Sequence, residues 1–560
     1  MVRLSSWLSL VSLASAGALA LPGPSIVDDP TLLMQQRGAP AEPKGVKTVA
    51  GPNGSKIRYK SPDICETTPG VGSYSGYVDL DEDTHVFFWF FEARKGAKDA
   101  DLTLWLNGGP GSDSMLGLFQ ELGPCHITED IKAELNPYSW NEASNMLFLS
   151  QPAGVGYSYG YKKEGYLDLN TGDVVNQSTP DTDPMFGRFS QVNPYQVDTT
   201  EKAAKATWEI LQAFIQELPA IDAKVKSKKF NLWTESYGGH YGPAFYRYFD
   251  DENQKIANGS SKGVHLDMNS LGIINGIIDA RIQMPQYPEF ARNNTYGIEL
   301  VNQTAYDVMK FNLVLSGGCL DSIDACHALD RSTRIGMASC AEATAVCRNM
   351  VEGVYYANEE RGVYDIRHPY NDPDPPTFFV NYLNQSDVQN KLGVDVNYTM
   401  TSSTPVYYGF DTTGDYVYGT LIKDLEHLVA KGVRVGLYYG DADYICNWFG
   451  GEQISLNLNY SHAAEFKKAG YAPLTVNGTQ YGEVRQYGNF SFARIYEAGH
   501  EVPFYQPEAS LAFFKRHINH LDVATGKVKL TSTYSTSGNA ETTHTESAPP
   551  LASATASSAA

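Results

Sequence analysis

Beyond its first twenty residues the sequence has no stretch of about 18 unbroken apolar residues, so nothing later in the chain is expected to span a membrane. It is also short of positive charge. Lys and Arg number 43 against 64 Asp and Glu, a formal net charge of −21 over 560 residues. Binding to phosphate backbones needs a basic stripe, which excludes nucleic acid as an expected partner. Such a surface suits a soluble protein in mildly acidic surroundings. No hydrophobic segment follows the Ser/Thr/Ala-rich tail, so a GPI anchor is not expected. What is abundant is core material: 42% hydrophobic and 12% aromatic residues, enough for one large domain carrying an insertion, or for two domains.

Residues 1–20 read as a signal peptide. Arg3 gives a short positive start, Leu4 to Leu19 is apolar but interrupted by Ser and Gly, and Ala18-Leu19-Ala20 supplies a small-residue cleavage site. Asn-x-Ser/Thr sequons stand at Asn53, Asn176, Asn258, Asn293, Asn302, Asn384, Asn397, Asn459, Asn477 and Asn489. Together they imply N-linked glycans and passage through the secretory pathway. Seven cysteines, all beyond residue 60, suggest three disulfides and one free thiol in such a compartment. A metal is not expected, because the seven-residue steps among Cys319, Cys326, Cys340 and Cys347 do not match zinc-finger spacing.

Residues 21–60, rich in Pro, Gly and charge, read as a propeptide or N-terminal arm. Short apolar runs follow at Val86–Phe91, Leu102–Leu106 and Met146–Leu149, the pattern of buried strands. Residues 161–190 are polar, with Gly172, Pro180 and Pro184, and read as a long surface loop. Asp198 or Thr199 then caps a helix with Ala204, Trp208, Leu211, Ile215 and Leu218 on one face, closed by Pro219. Strands at Phe230–Thr234 and Leu271–Asn275 complete a strand–helix–strand rhythm, which predicts an α/β fold with a mostly parallel sheet. That core, 61–280, is interrupted at 281–405 by an inserted, cysteine-bearing cap. It resumes over 406–525 with Val433–Tyr439, Ala493–Tyr496 and a helix opened by Pro507. Residues 526–560 read as a disordered, O-glycosylated tail.

The chemistry begins at Glu235-Ser236-Tyr237-Gly238-Gly239, directly after a predicted strand. A Ser on a sharp strand-to-helix turn exposes its hydroxyl, and small residues are wanted around it. Gly238 meets that need and Thr234 does not. A serine needs a base, and the base needs a carboxylate; in α/β-hydrolases the chain order is Ser, acid, His. Asp441 and Asp443 at the end of one strand, and His500 in the turn after another, fit that order. All three roles are filled by side chains, so no cofactor is called for.

Four motifs then resemble the serine carboxypeptidase family, from about Tyr74 to about Ile518. They are Trp105–Gly111 with Gly117–Pro124; Asn136–Asn141 with Gln151–Tyr159; Glu235–Pro243; and Gly440–Asn447 with Gly499–Pro503. The resemblance implies an α/β-hydrolase with a disulfide-bonded cap, acting as a serine-type carboxypeptidase on peptides with a free C-terminus. It implies Ser236, Asp443 and His500 as the triad, with Asp441 a structural turn residue. The N–H groups of Tyr237 and Gly109 would form the oxyanion hole. Asn107, Gly108, Glu121 and Glu235 would grip the substrate α-carboxylate, with acidic pH favoured because a proton must be shared. It further implies the nested disulfides Cys319–Cys347 and Cys326–Cys340 together with Cys65–Cys125, and Cys446 as the free thiol near a substrate pocket.

Three departures stand out. Ser112-Asp113-Ser114 replaces the family's usual Cys-Ser-Ser, Ser150 stands where an Asp usually precedes Gln-Pro, and Thr234 stands where a Gly is usual. Asp113, and the extra acid Glu501 beside His500, suggest tolerance for basic residues near the scissile bond. The competing readings are an acyltransferase or hydroxynitrile lyase on the same scaffold, and an inactive adhesion glycoprotein. Asn107, Glu121 and Glu235 favour peptides over the former, and the intact triad disfavours the latter. The destination expected is outside the cell or in the cell wall, with the vacuole as the alternative.

Overall fold

The computed structural model describes residues 39–358, 360–400, 404–419 and 421–551. The signal peptide and the first part of the arm lie outside the described residues.

The short apolar runs become strands because each can bury both faces. The strands are β1 (Lys47–Ala50), β2 (Lys56–Lys60), β3 (Ser73–Asp79), β4 (His85–Phe91), β5 (Leu102–Leu106), β6 (Asn145–Leu149), β7 (Lys229–Glu235), β8 (Asp267–Ile274), β9 (Arg434–Gly440), β10 (Ala472–Val476), β11 (Thr479–Tyr487) and β12 (Phe490–Ile495). They form one sheet in the order β1-β2-β3-β4-β6-β5-β7-β8-β9-β12-β11-β10. The centre, β6-β5-β7-β8-β9-β12, is parallel, and the outer strands pair antiparallel. The arm expected to run to residue 60 already contributes β1 and β2, whose alternating Ile57 and Tyr59 are buried.

Successive residues of the central strands feed opposite layers. Leu104, Leu106 and Leu232 meet α1 (Thr200–Ile221) and α2 (Gly238–Ala257), packing with Leu211, Phe214, Phe245 and Phe249. Trp105 and Trp233, paired in register, face the other way. There Trp140 lies edge-on to Trp233, with ring centres 4.9 Å apart, and stacks on Phe514 of the helix Pro507–Ile518 at 4.1 Å. Gly272 sits beside Trp233 because a Cβ there would fall 2.3 Å from the indole. Thr199 is the cap of α1, accepting from the Lys202 amide, and the helix runs through Pro219 to Ile221 rather than stopping at it.

Between β8 and β9 the chain is mainly helical. Gln303–Val314, Cys319–His327 and Arg334–Met350 are its main helices, and the latter two are stapled by Cys319–Cys347 and Cys326–Cys340. Cys65–Cys125 ties the segment before β3 to the chain after β5.

Two stretches differ from expectation. Residues 161–190 are not a loop but a three-stranded sheet, Tyr161–Asp168 paired with Val174–Val175 and Thr182–Gln191. Its inner face buries Leu167, Val174 and Phe189, while the outer face carries the polar residues that mask the alternation. The tail is laid against the sheet and its loops as far as Glu546, whose amide donates to Thr295. Ser535 and Asn539 bridge to Tyr487 and Tyr471, and Thr536 exchanges hydrogen bonds with Gln486. Further on, Arg494 donates to Thr542 Oγ1 and the His544 carbonyl, each at 2.7 Å. Small Ser and Thr side chains let this backbone approach a sheet edge whose polar groups need partners.

The sequons also divide. Asn53, Asn176, Asn258, Asn293, Asn302, Asn459 and Asn477 are exposed. Asn384 and Asn397 are 4% and 2% exposed, and the Asn384 amide donates to Val380 and Tyr398 carbonyls. Asn489 donates to the Val429 and Val433 carbonyls. The Asn397 amide donates to Asn384 Oδ1, so a glycan on any of these three amides would displace a packed partner, which sets them apart from the exposed sequons.

Among the described residues no helix is long and apolar enough to cross a membrane.

Candidate active site

The parallel strands end together, and their C-terminal loops build the site. Ser236 follows β7 with φ of 63°, a left-handed conformation that a non-glycine residue adopts only under constraint. Its amide donates to Ile274, and its carbonyl accepts from Gly239 and Ile277. The elbow is crowded on every side. A Cβ on Gly108 would sit 2.3 Å from the Tyr237 nitrogen, and one on Gly239 would sit 2.4 Å from the Ile277 carbonyl. Thr234 fits where Gly was expected because Gly238 opposite has no side chain; the threonine hydroxyl instead bonds the Gly238 carbonyl at 2.8 Å.

His500 lies in the turn after β12, anchored by its amide on the Tyr364 carbonyl, with the Tyr364 ring centre 5.1 Å away. Its Nδ1 meets Asp443 Oδ2 at 2.7 Å. Asp443 is fully buried after β9. Its Oδ2 also accepts from Asn275 Nδ2 at 2.7 Å, and Oδ1 accepts from the Cys446 amide. The acid and histidine turns can touch because Gly440 lacks a side chain: a Cβ there would be 2.2 Å from the Gly499 carbonyl. The Ser236 hydroxyl is turned toward the Cys446 thiol, and among the described residues no hydrogen bond joins it to His500. In free enzymes this bond is often loose and tightens with substrate. Burial, with Asp443 and Glu352 nearby, pushes the Cys446 thiol well above its ordinary range.

Beside Ser236, Gly109 adopts φ of 106° in the turn after β5. The neighbouring Gly111 amide is held by the Tyr241 hydroxyl. Neither the Gly109 nor the Tyr237 amide is given to a backbone acceptor among the described residues.

Asn107 organises a carboxyl cluster. Its Oδ1 accepts from Trp105 Nε1 at 2.7 Å and from the Gly117 amide, which orients Nδ2 toward Glu121 Oε1 at 3.2 Å and Glu235 Oε1 at 3.1 Å. Both acids are at most 3% exposed, and they hydrogen-bond each other, which requires a shared proton. Burial first, then the charges of Glu121 and Glu501, push Glu235 well above the carboxylate range; burial raises Glu121 as well. Glu501 is raised by burial and by Glu121. It therefore belongs to the same group of buried, raised carboxyls as Glu121 and Glu235. A cavity of about 200 Å³ opens beside Glu121, lined by Phe119, His126, Pro376, Phe379 and Phe504.

Asp441 is buried apart from the triad, bonded by Tyr296 at 2.7 Å, and raised to about 6 by burial. Donor atoms of Asp443, Cys446 and His500 lie within 4.8 Å of one another, but the acid is already engaged and the thiol holds its proton, a poor set for a metal. Sequence reasoning passed over Asn275, Tyr364 and Asp415. Asn275 had only its position at a strand end to mark it. Asp415, buried and bonded by the Tyr237 hydroxyl at 2.5 Å, is 178 residues away in the chain.

A buried acid–imidazole pair and a strained serine, all at the C-terminal ends of the parallel strands of one sheet, are the groups a serine hydrolase uses. The family model for serine carboxypeptidases matches residues 62–520, and the chain belongs to that family. It is 43% identical to a carboxypeptidase S1 homolog A of Arthroderma otae, over 87% of this chain and 80% of that protein. It is 37% identical to carboxypeptidase S1 of Penicillium janthinellum, over 82% of this chain and 98% of that one. The structure of a prohormone-processing carboxypeptidase from Saccharomyces cerevisiae shares the fold, with a TM-score of 0.60 at 21% identity, covering 82% of this chain and 95% of that one.

Proposed function

We propose that this chain removes C-terminal amino acids from peptides through an acyl-enzyme, with each step assigned as follows. Ser236 attacks the last peptide carbonyl. His500 takes the serine proton and delivers it to the departing amino acid, while Asp443 holds the imidazole by Nδ1 and stabilises its cationic form. Asn275 fixes the carboxylate from behind. The Gly109 and Tyr237 amides receive the developing oxyanion. Water then repeats the attack and frees the shortened peptide.

The observation that carries the exopeptidase reading is the pair of carboxyls on Asn107 Nδ2. A buried acid kept protonated can donate to a substrate carboxylate without a cation, and burial with the charges of Glu121 and Glu501 raises Glu235 toward that state. The cavity beside Glu121 is largely apolar, which favours apolar over basic C-terminal side chains. The exposed sequons support a secreted or cell-wall glycoprotein, with a vacuolar destination as the alternative. The test is digestion of one long peptide followed by mass spectrometry. Stepwise loss of single residues from the C-terminus, abolished in Ser236→Ala, is expected; internal cleavage, or ester hydrolysis alone, would overturn the reading.

A further inference from the structure

Two of the departures from the family pattern meet in space. Asp113, one residue beyond the turn that carries Gly109, is 3% exposed, and Ser150 at the end of β6 is fully buried. The Ser150 and Tyr398 hydroxyls and the Ser114 and Met115 amides face the Asp113 carboxyl. Among the described residues no well-formed hydrogen bond closes on either carboxyl oxygen, on Ser150 Oγ or on Tyr398 Oη, although these groups face one another. Space for the group is made by Gly156, where a Cβ would lie 2.1 Å from Asp113 Oδ2 and 3.1 Å from Ser150 Oγ. The Asp113 carbonyl accepts from Leu116, at the head of the short π-turn Gly117–Leu122 that bears Glu121. One side chain thus stands between the oxyanion turn, the end of β6 and the segment around Tyr398.

We propose that Asp113 and Ser150 act as one pair, the carboxyl next to the oxyanion turn and the hydroxyl at the end of β6. Asp113 is accordingly the positioning residue that sets the Gly109 amide. The inference rests on the assignment of Gly109 as an oxyanion donor. Several features support it. A carboxyl alone in a buried site is tolerated only with hydroxyl or amide partners, and all four groups around Asp113 are of that kind. Its titratable neighbours are Tyr157 and Tyr398, both raised by burial, and no cation is among the groups that shift it. Burial raises the carboxyl to about 6, so in acidic surroundings it is a neutral donor to Ser150 or Tyr398.

The experiment compares Asp113→Ser, Ser150→Asp, the double exchange Asp113→Ser/Ser150→Asp, and Asp113→Asn, each normalised to active sites counted by fluorophosphonate labelling. Misplacing a donor by a fraction of an ångström costs about ten- to a hundredfold. Each single exchange is therefore expected to lower kcat by that factor with KM within about threefold, since Asn107, Glu121 and Glu235 are untouched. The double exchange is expected to return kcat to within about threefold of the parent. Asp113→Asn, which keeps a neutral amide donor, is expected to match the parent at pH 5. The proposal falls if the double exchange is no faster than the slower single, or if the singles lose thermal stability with kcat per labelled site unchanged. It also falls if Asp113→Asn is as slow as Asp113→Ser. If a single exchange does not fold, the double exchange and Asp113→Asn decide alone. Failure of the parent itself to label would instead overturn the assignment of the triad.

Discussion

Replacing Glu235 by Gln tests the carboxyl cluster most directly. The amide is nearly isosteric, so the bond from Asn107 Nδ2 at 3.1 Å can be kept while the ionisation is removed. Glu121 and Glu235 both bond that one nitrogen, at 3.2 and 3.1 Å, so their nearest oxygens are no more than about 6 Å apart. Even at that upper limit, with an effective dielectric of about 20, two unit charges repel by about 3 kcal/mol, and the direct Glu121–Glu235 hydrogen bond brings them closer still. A substrate carboxylate entering the same space meets repulsion of that order once the shared proton is lost, about a hundredfold in binding. The parent KM for a blocked dipeptide should therefore be lowest in acid and rise about tenfold per pH unit through the titration, to a plateau about a hundredfold higher. Glu235→Gln should bind more weakly or equally in acid but lack most of that rise. Measuring KM and kcat from pH 4 to 8 for both enzymes decides it. A parent KM flat over that range, or a Gln variant with the parent's full pH dependence, refutes the reasoning. The same proton makes a statement about stability. Glu235 keeps in the folded state a proton that the unfolded chain releases above its ordinary 4.5. Its contribution therefore favours the fold most below that pH and declines as pH rises toward the raised folded value. Glu235→Gln should reduce this decline in thermal melts.

Three further outcomes follow from the structure. Truncation after Leu530 removes two of the partners of the buried Arg494 guanidinium, both charge-assisted bonds at 2.7 Å, and leaves Thr295 and Asp441; it should cost about 3 kcal/mol in denaturant unfolding, and an unchanged midpoint would show that the tail adds nothing to stability. Asn384→Gln and Asn397→Gln should leave the glycosylated mass unaltered, whereas Asn176→Gln should remove one glycan if that exposed site is used, as mass spectrometry with and without deglycosylation will show. Cys446, buried and with its thiol raised, should resist iodoacetamide at pH 7 in the native enzyme and react once it is unfolded; native labelling at the rate of a free thiol would contradict the burial.

The strand runs, the helix Thr200–Ile221 and the elbow were legible in the sequence because each is local. Apolar spacing and glycine placement announce a strand or a tight turn within a few residues. Ser236, Asp443 and His500 could be paired from chain order and family motifs, although 264 residues separate the first from the last. The sheet of residues 161–190 was missed because only one face of each strand is apolar, and a polar outer face reads as loop. The tail was missed because its order derives from partners elsewhere, Gln486, Arg494 and Thr295, and not from its own composition.

Residue chemistry alone thus determined which groups could react and in what order along the chain. Tertiary structure decided their states. It raised the Glu235 and Glu501 carboxyls well above their ordinary range, engaged the amides of three sequons and brought Asp113 to Ser150. Solvation and distance between remote segments govern protonation and accessibility, and neither is written in any local stretch of sequence.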